Sequence, residues 1–412
     1  MLKIAVICIG DELLKGSTVN TNLAFIGERL TREGTPPVFA QEVPDSESGI
    51  SEALDRALSV ADCVITTGGL GPTADDVSKE FIARRLGLPL EEDSETAVRV
   101  LRFWKRRHRS GEQIPPCVLK QALVPVGAQI IPNEFGTAPG LVLRMEDGRK
   151  IILLPGPPGE LEPMFDSGVL PLLREEIRFA GQVFTRLFRL VGTGETDVEE
   201  RTQQILAKRH PLAAAYCAEP GLVRLFLSSS DPSVLNEASS DVKTVFSSEL
   251  IDPESSSLAE ELLRLLRREK ATMATAESCT GGLVAKLLTD IPGSSDVFLG
   301  GVVSYANRIK TELLGVAPET LGKFGAVSPQ TAEEMVRGLA DRFGCDGAIS
   351  LTGVAGPGGG TPEKPVGLVY AGIFWRGETE VHELHLRTSR AQIRASAAAS
   401  AMNLLRLKIL AK

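Results

Sequence analysis

Residues suited to nucleophilic catalysis lie in the last third of this 412-residue sequence. Residues 277–282 read Glu-Ser-Cys-Thr-Gly-Gly; they follow a short apolar stretch that predicts a strand, and residues 283–289 predict a helix. A strand, a glycine-bearing turn and a helix expose a nucleophile and direct backbone N–H groups at developing negative charge. Turns of this kind also carry Ser, Thr and Gly only to cap helices, so the motif alone does not establish catalysis.

Two further segments of the same region carry polar residues that can complete a site. Residues 302–310 begin as a strand and continue as a helix, so Lys310 at their end can return to the pocket of the first motif. Residues 352–361 contain five glycines between positions 353 and 360, which exclude a helix or a regular strand. Such a loop is either a flexible connector or a cradle for an anionic ligand.

The scarcity of histidine restricts which base can activate a serine. The chain has four histidines, and only His382 and His385 lie in this region, three apart in a predicted strand. They would point to opposite faces, so we interpret them as ordinary strand residues and not as paired metal ligands. A Ser–His–Asp triad is therefore disfavoured, and a Ser–Lys pair, in which desolvation lowers the lysine pKa, is preferred.

Cys279, beside the serine, offers an alternative nucleophile. A Glu–Lys–Cys set like that of nitrilases can be written with Glu277, Lys310 and Cys279. A thiol without a neighbouring histidine gains nucleophilicity only from a lysine or a helix N-terminus. The residues alone leave both nucleophiles open.

The first third of the chain has unusual loops after its predicted strands. Residues 10–16 follow the first strand, and residues 66–76, Thr-Thr-Gly-Gly-Leu-Gly-Pro-Thr-Ala-Asp-Asp, follow the third. Glycines allow a phosphate to approach the backbone, and paired carboxylates such as Asp75 and Asp76 suit a divalent cation, Mg²⁺, Mn²⁺ or Co²⁺. The two aspartates can equally be the cap and first-turn acids of the following helix. The other residues predicted to line this N-terminal cleft are Asp11, Glu12, Asn20, Asn22, Gly68, Gly69, Gly71, Thr73, Asn133 and Gly156.

The elements that must position these residues alternate between strand and helix in residues 1–172, the first predicted domain. Such alternation favours a parallel sheet with helices on both faces, and ligands bind such sheets at the carboxyl ends of the strands. The predicted strands are 3–9, 37–43, 62–67 and 151–154, and the predicted helices are 22–33 and 47–61.

Two more domains are predicted after the first. Residues 180–252 form a small α+β unit, and a polar linker at 251–257 leads to a third α/β domain, 258–412. The predicted elements of the small unit are strands 183–191 and 222–228 with helices near 197–208 and 234–250, and the third domain begins with an amphipathic helix at 258–270.

Composition excludes several classes of protein. The net charge of −8 argues against a nucleic acid partner, and no apolar run is long enough to span a membrane. Six cysteines without a C-x-x-C pair fit neither a disulfide framework nor a structural zinc site. The N-terminus predicts a buried strand and not a signal peptide, so we expect a cytoplasmic protein.

The sequence resembles the CinA (competence/damage-inducible) family along nearly its whole length. The motifs that carry the resemblance are 276–282, 292–295, 305–310, 325–328 and 352–357. The resemblance implies that residues 258–412 hydrolyse nicotinamide mononucleotide to nicotinic acid mononucleotide and ammonia without a cofactor. It makes Ser278 the nucleophile, Lys310 the general base and Tyr305 an orienting hydroxyl. The implied substrate-binding residues are Glu277, Thr280, Gly281, Gly282, Ser294, Ser295, Asn307, Thr352, Gly353, Arg390 and Arg394.

The other two domains carry weaker expectations. The first resembles the molybdopterin-binding fold, which in CinA relatives is associated with metal-dependent ADP-ribose pyrophosphatase activity; Ser78 replaces the expected threonine of the Asp-Asp-x-Thr pattern. The middle segment resembles a KH-like module, yet residues 181–255 hold seven Lys+Arg and eleven Asp+Glu, a balance of −4. An RNA-clamping loop should be basic, so we expect a spacer or dimerisation role and a homodimer. The alternative functions are a binding protein in competence or DNA damage and a molybdenum cofactor protein.

Overall fold

The computed structural model describes residues 2–107, 115–179 and 183–411. Within them the chain divides into two units. One comprises the chain up to Thr185 together with Ser228–Pro232, and the other comprises Arg186–Leu227 and the chain from Ser233 onward. Residues 180–182, where the second predicted domain begins, lie outside the described residues. No helix in the described ranges combines the length and apolar character that a bilayer span requires.

A mixed six-stranded sheet forms the centre of the first unit. Its order is β2-β1-β3-β8-β7-β6, and a separate antiparallel pair is made by β4 and β5. The strands are β1 (Ile4–Ile9), β2 (Phe39–Val43), β3 (Cys63–Thr67), β4 (Leu90–Glu92), β5 (Leu123–Pro125), β6 (Gln129–Ile131), β7 (Gly140–Arg144) and β8 (Lys150–Leu154).

The predicted parallel sheet has an antiparallel edge. Strands β2, β1, β3 and β8 are parallel to one another. Strand β7 pairs antiparallel with both of its neighbours, β8 and β6. Strands β7 and β8 are joined by a tight turn in which the Gly148 N–H donates to the Met145 carbonyl at 3.0 Å. A turn this short cannot make the crossover that parallel neighbours need, so the pair must be antiparallel.

Helices cover both faces of this sheet, as predicted. Along β1, alternate residues enter two different cores: Ile4 and Val6 pack with α2, and Ala5 and Ile7 pack with α3. The helices are α1 (Asp11–Leu14), α2 (Thr21–Arg32), α3 (Glu47–Val60), α4 (Ser78–Arg85), α5 (Ser94–Arg107), α6 (Pro116–Leu119), α7 (Pro158–Met164) and α8 (Leu170–Phe179).

The middle segment forms a three-stranded sheet with two helices. Its strands, in the order β10-β11-β9, are β9 (Phe184–Val191), β10 (Ala213–Glu219) and β11 (Leu222–Ser229), and its helices are α9 (Glu195–Leu206) and α10 (Pro232–Val245). Strand β10 escaped prediction because it begins with three alanines, which have low β-propensity. Helix α10 ends before the predicted residue 250 because the Glu249 carbonyl accepts a hydrogen bond from Val191 N–H.

The last segment is built on a five-stranded sheet of order β13-β12-β14-β15-β16. Its first three strands are parallel, and β15 and β16 are antiparallel. The strands are β12 (Met273–Glu277), β13 (Phe298–Val303), β14 (Gly347–Gly353), β15 (Leu368–Trp375) and β16 (Glu378–His385). The helices are α11 (Leu258–Glu269), α12 (Leu283–Thr289), α13 (Asn307–Leu314), α14 (Pro318–Phe324), α15 (Pro329–Phe343) and α16 (Arg390–Leu410).

Arg406 on α16 holds the end of the middle segment against this domain. The side chain is buried, and its guanidinium donates to the carbonyls of Ser248, at 2.9 Å, and Leu250. Both carbonyls lie just after the end of α10, and acceptors near a helix end need partners from outside the helix. The middle and last segments therefore share one interior within the second unit.

We expect Arg406→Leu to lower the unfolding free energy of the second unit by about 2–3 kcal/mol, because two buried carbonyls lose a charged donor. Urea unfolding followed by the fluorescence of Trp375, which lies in this unit, measures the change. Arg337→Leu is the control, since Arg337 is an exposed partner of Glu333 and should leave the midpoint unchanged. Equal midpoints for both variants would contradict the structural role of Arg406.

Candidate active sites

The side chains of Lys310 and Ser278 meet at the carboxyl edge of the five-stranded sheet. The Lys310 Nζ lies 3.0 Å from the Ser278 Oγ and donates to the Ser304 carbonyl at 2.6 Å. Lys310 is 1% exposed, and this burial lowers the pKa of its ammonium group. A lysine with a lowered pKa has more of the neutral amine that can take the serine proton.

Three parallel strands place these groups together. Beyond the end of β12, the Ser278 N–H donates to the Leu351 carbonyl on β14 at 2.8 Å. On the other side, the Ser304 N–H donates to the Glu277 carbonyl at 2.9 Å. The nucleophile and the carbonyl that holds the lysine are therefore fixed on adjacent backbones. Ser304 was not predicted, although its place before Tyr305 at the end of a predicted strand was a usable signal.

Glu277 serves the helix that follows the nucleophile. Its carboxylate is buried and accepts hydrogen bonds from the N–H groups of Val284, at 3.1 Å, and Ala285, at 2.9 Å. A carboxylate at this position satisfies the unpaired donors and the dipole of the N-terminus of α12. Both oxygens are thus engaged within the protein, and the structure gives Glu277 a positioning role for the turn that carries Ser278.

Cys279 points into the protein interior. The residue is 6% exposed, and burial raises the pKa of its thiol to about 11. The thiolate is the nucleophilic form of cysteine, so this environment opposes catalysis by Cys279. The geometry therefore favours Ser278 over its neighbour.

Two arginines of α16 contact the loops beside Ser278, and we call this side of the site its mouth. Arg394 donates to the Thr280 carbonyl at 2.6 Å, and Arg390 donates to the Gly356 carbonyl at 2.6 Å. Arg390 also lies 3.3 Å from the Tyr305 hydroxyl. Tyr305 is 62% exposed, and its hydroxyl is placed beside this arginine. The predicted orienting hydroxyl therefore sits at the mouth, where its observed partner is Arg390.

Five other predicted residues lie on the strand ends and turns around this edge. Gly281 and Gly282 have φ of +61° and +89°, a conformation that favours glycine. Thr352, near the end of β14, is buried and donates to the Ala326 carbonyl at 2.6 Å. Gly353 ends β14, and Asn307 is exposed at the start of α13.

Ser294 and Ser295 do not join this site, which corrects the prediction. They precede β13, and the first residue of β13 pairs in parallel with Met273, the first residue of β12. Ser278 follows the other end of β12, so the length of the sheet separates the two serines from it. The Pro-Gly-Ser-Ser motif forms a turn whose Gly293 carbonyl accepts a hydrogen bond from Arg267 at 2.8 Å.

The first unit contains a cleft of about 500 Å³ at the carboxyl edge of its parallel strands. Gly68, with φ of +98°, shapes its floor, because a Cβ there would meet the Ile9 carbonyl oxygen at 2.1 Å. The predicted residues that line this cleft are Glu12, Asn20, Asn22, Gly68, Gly69, Gly71, Asp75, Asp76 and Gly156. Glu160 also lines it, as do Asp45 and Gln121, which were not predicted.

Three residues predicted for the cleft do not line it but contact the loops that form it. Asp11 pairs with Lys15 at 2.7 Å. The Thr73 hydroxyl lies between the carboxylates of Asp75 and Asp76, 2.5 Å from that of Asp75. Asn133 is buried, and its amide donates to the Ala138 carbonyl and to Glu160. These contacts hold the loops that form the wall.

The carboxylates of this cleft repel one another. Burial raises the pKa of Asp45, and the nearby charges of Glu12, Asp11 and Asp75 raise it further. In the described ranges, no three His, Cys, Asp or Glu side chains are grouped closely enough to form a metal cage. Magnesium-like ions commonly bind through one or two carboxylates, with water and ligand phosphates completing the shell. Asp75 and Asp76 fit a cation held in that way.

Comparison with known families agrees with this organisation. Residues 255–409 match the family model "CinA C-terminal domain", and residues 5–175 match "Probable molybdopterin binding domain". A CinA-like protein of Akkermansia muciniphila is 41% identical over 395 residues, with 95% of this chain and 94% of that protein covered. A CinA-like protein of Kosmotoga olearia is 38% identical over 415 residues, with 99% of both chains covered.

A solved structure is similar to part of this chain. The crystal structure of the competence/damage inducible protein CihA from Agrobacterium tumefaciens is 44% identical to the matching part and covers 37% of this chain and 93% of its own, with a TM-score of 0.36. Since the full-length relatives exceed 30% identity over nearly the whole chain, this protein belongs to the CinA family and combines a CinA C-terminal domain with a molybdopterin-binding-type N-terminal domain.

Proposed function

We propose that the last domain hydrolyses the carboxamide of nicotinamide mononucleotide, with Ser278 as the nucleophile and Lys310 as the general base. The observation that carries this proposal is the 3.0 Å contact between the Ser278 Oγ and the buried Lys310 Nζ. Serine–lysine pairs of this kind cleave amides in unrelated folds. Membership of the CinA family supports the choice of substrate.

In each half of the reaction the Lys310 nitrogen accepts one proton and then donates it. Neutral Lys310 takes the Ser278 proton while the Oγ bonds to the carboxamide carbon. The resulting ammonium returns that proton to the amide nitrogen, the C–N bond breaks and ammonia leaves. Lys310 then takes a proton from a water that attacks the Ser278 ester, and it returns that proton to the Ser278 Oγ as the C–O bond to the serine breaks and the acid leaves. The Ser304 carbonyl holds Nζ in place throughout.

The mouth of the site suits the phosphate of the substrate. Arg390 and Arg394 bring two guanidinium groups there, and a planar guanidinium can donate two parallel hydrogen bonds to a phosphate. Gly281 has no side chain, so a ligand can approach the turn closely. We assign the phosphate to the arginines and the carboxamide to Ser278.

Ser278→Ala should reduce ammonia release from nicotinamide mononucleotide at least about 10³-fold, because no other group is placed to form the ester. Cys279→Ala should retain most of the activity, since the thiol is buried with a raised pKa. A coupled ammonia assay on both variants makes the comparison. Loss of activity in Cys279→Ala with retention in Ser278→Ala would contradict the assignment.

The pH dependence of the amidase should report the titration of Lys310. Its protonated form cannot accept the serine proton, so kcat/KM should rise as the pH increases through the lysine pKa. Because burial lowers that pKa, the midpoint should lie below the ordinary lysine value of 10.5. A pH profile of kcat/KM measures it, and a rise centred at or above 10.5 would be inconsistent with a desolvated base.

For the N-terminal cleft we propose metal-dependent cleavage of ADP-ribose, with Asp75 and Asp76 holding Mg²⁺, Mn²⁺ or Co²⁺. The supporting observation is the cleft itself, which sets a glycine loop beside two carboxylates. A bound cation would neutralise charge on the pyrophosphate. Binding of a nucleotide or pterin without cleavage is the competing reading of the same residues.

Full-length protein incubated with ADP-ribose and each cation in turn should form AMP and ribose 5-phosphate. Asp75→Asn should slow this by more than about 100-fold, because the cation loses a charged ligand. Ser278→Ala, altered only in the amidase site, is the control and should form AMP at the normal rate. If no cation supports AMP release by the wild type, the cleft only binds its ligand.

The middle segment keeps its predicted role as a spacer or dimerisation module. Its acidic balance supports the absence of a nucleic acid partner. The homodimer and the cytoplasmic location likewise stay predictions.

A further inference from the structure

We propose that two carboxamides in the N-terminal cleft, Asn22 and Gln121, recognise the neutral part of the ligand, a nucleoside amine or ribose hydroxyl. The inference rests on the proposed nucleotide chemistry of this cleft and extends it from the phosphates to the nucleoside. It makes the two residues determinants of specificity, whereas Asp75, Asp76 and the glycine loop serve the charged part.

The contacts of the Asn22 side chain show which of its atoms is left to accept a hydrogen bond. Its amide nitrogen donates to the Gly156 carbonyl at 2.7 Å, which orients the side chain. The Oδ1 is then buried, and no hydrogen-bond donor reaches it from the described part of the chain. Asn22 lines the cleft, so a ligand can supply that donor. A phosphate dianion only accepts hydrogen bonds, and therefore the matching ligand group must carry an N–H or O–H.

Gln121 adds a second carboxamide to the same wall. The residue is 2% exposed and lines the cleft. Buried polar groups in folded proteins are almost always hydrogen-bonded, so this carboxamide is a candidate for a ligand contact. It offers a donor and an acceptor side by side, the pair with which glutamine reads adenine.

The position on the cleft wall separates these residues from other unsatisfied groups. The Oε1 of Gln41 on β2 is also buried without a hydrogen-bond donor among the described residues, but Gln41 does not line the cleft. An unpartnered acceptor alone is therefore no evidence for ligand binding. Asn22 has an unpartnered acceptor, and both Asn22 and Gln121 line a cavity large enough for a nucleotide.

The test is a thermodynamic cycle between side chain and ligand group, measured by calorimetry on the full-length protein with Mg²⁺. The probes are the α,β-methylene analogue of ADP-ribose, which resists cleavage, and two versions of it. One lacks the adenine 6-amino group, and the other lacks the hydroxyls of the adenosine ribose. These two arms distinguish an amine from a hydroxyl as the recognised donor.

We expect Asn22→Leu and Gln121→Leu each to weaken binding of the complete analogue about 10-fold or more. Each variant should bind the complete analogue and one of the truncated versions with the same affinity. The missing side chain and the missing ligand group are the two halves of one contact, so removing the second has no further effect. Gln41→Leu should keep the affinities and the discrimination of the wild type. Normal ammonia release from nicotinamide mononucleotide and an unchanged thermal unfolding curve check that each variant is folded.

Discrimination between the probes that persists in both leucine variants would overturn the inference, as would wild-type protein that binds none of them. The proposed activity fails separately. If the wild type binds the analogue and discriminates through these residues, yet forms no AMP from ADP-ribose, the recognition stands and the pyrophosphatase does not.

Discussion

The burial of Lys310 is the constraint around which the proposed amidase site is arranged. An ammonium group is costly to bury, and here the Nζ is compensated by the Ser304 carbonyl at 2.6 Å and the Ser278 hydroxyl at 3.0 Å. Both partners lie at the ends of parallel strands, so their separation is set by the sheet. The same burial lowers the pKa of the lysine and turns it into a base. Positioning and activation thus have one physical origin.

The turn that carries Ser278 is fixed at both of its ends. Backbone hydrogen bonds to Leu351 and from Ser304 extend the sheet around its start, and the Glu277 carboxylate caps the helix at its end. A carboxylate placed there stabilises the helix N-terminus and keeps that N-terminus from serving a substrate anion. In the proposed reaction, the arginines of α16 therefore hold the phosphate. In the first unit the division of labour differs, since a glycine loop and carboxylates share one cleft with neutral carboxamides.

Sequence reasoning found what depends on residue type and local order. The shortage of histidine led to the serine–lysine pair, and hydrophobic alternation located β1, β3 and the helices α2 and α3. It failed where distant pairing decides the outcome. The motif with Ser294 and Ser295 is one of those that carry the family resemblance. The parallel register of β12 and β13 nevertheless places both serines at the edge of the sheet opposite to Ser278. Gln121 gave no signal, because only the folded cleft brings its carboxamide to the wall.

The central claim is that Ser278 and Lys310 act as one catalytic unit on nicotinamide mononucleotide. Ammonia release by Lys310→Ala, compared with Ser278→Ala and the double variant, tests it most directly. Groups that act together lose nearly all activity when either is removed, so the account predicts three equally inactive proteins beside an active wild type. A Lys310→Ala variant that releases ammonia at close to the wild-type rate would contradict it.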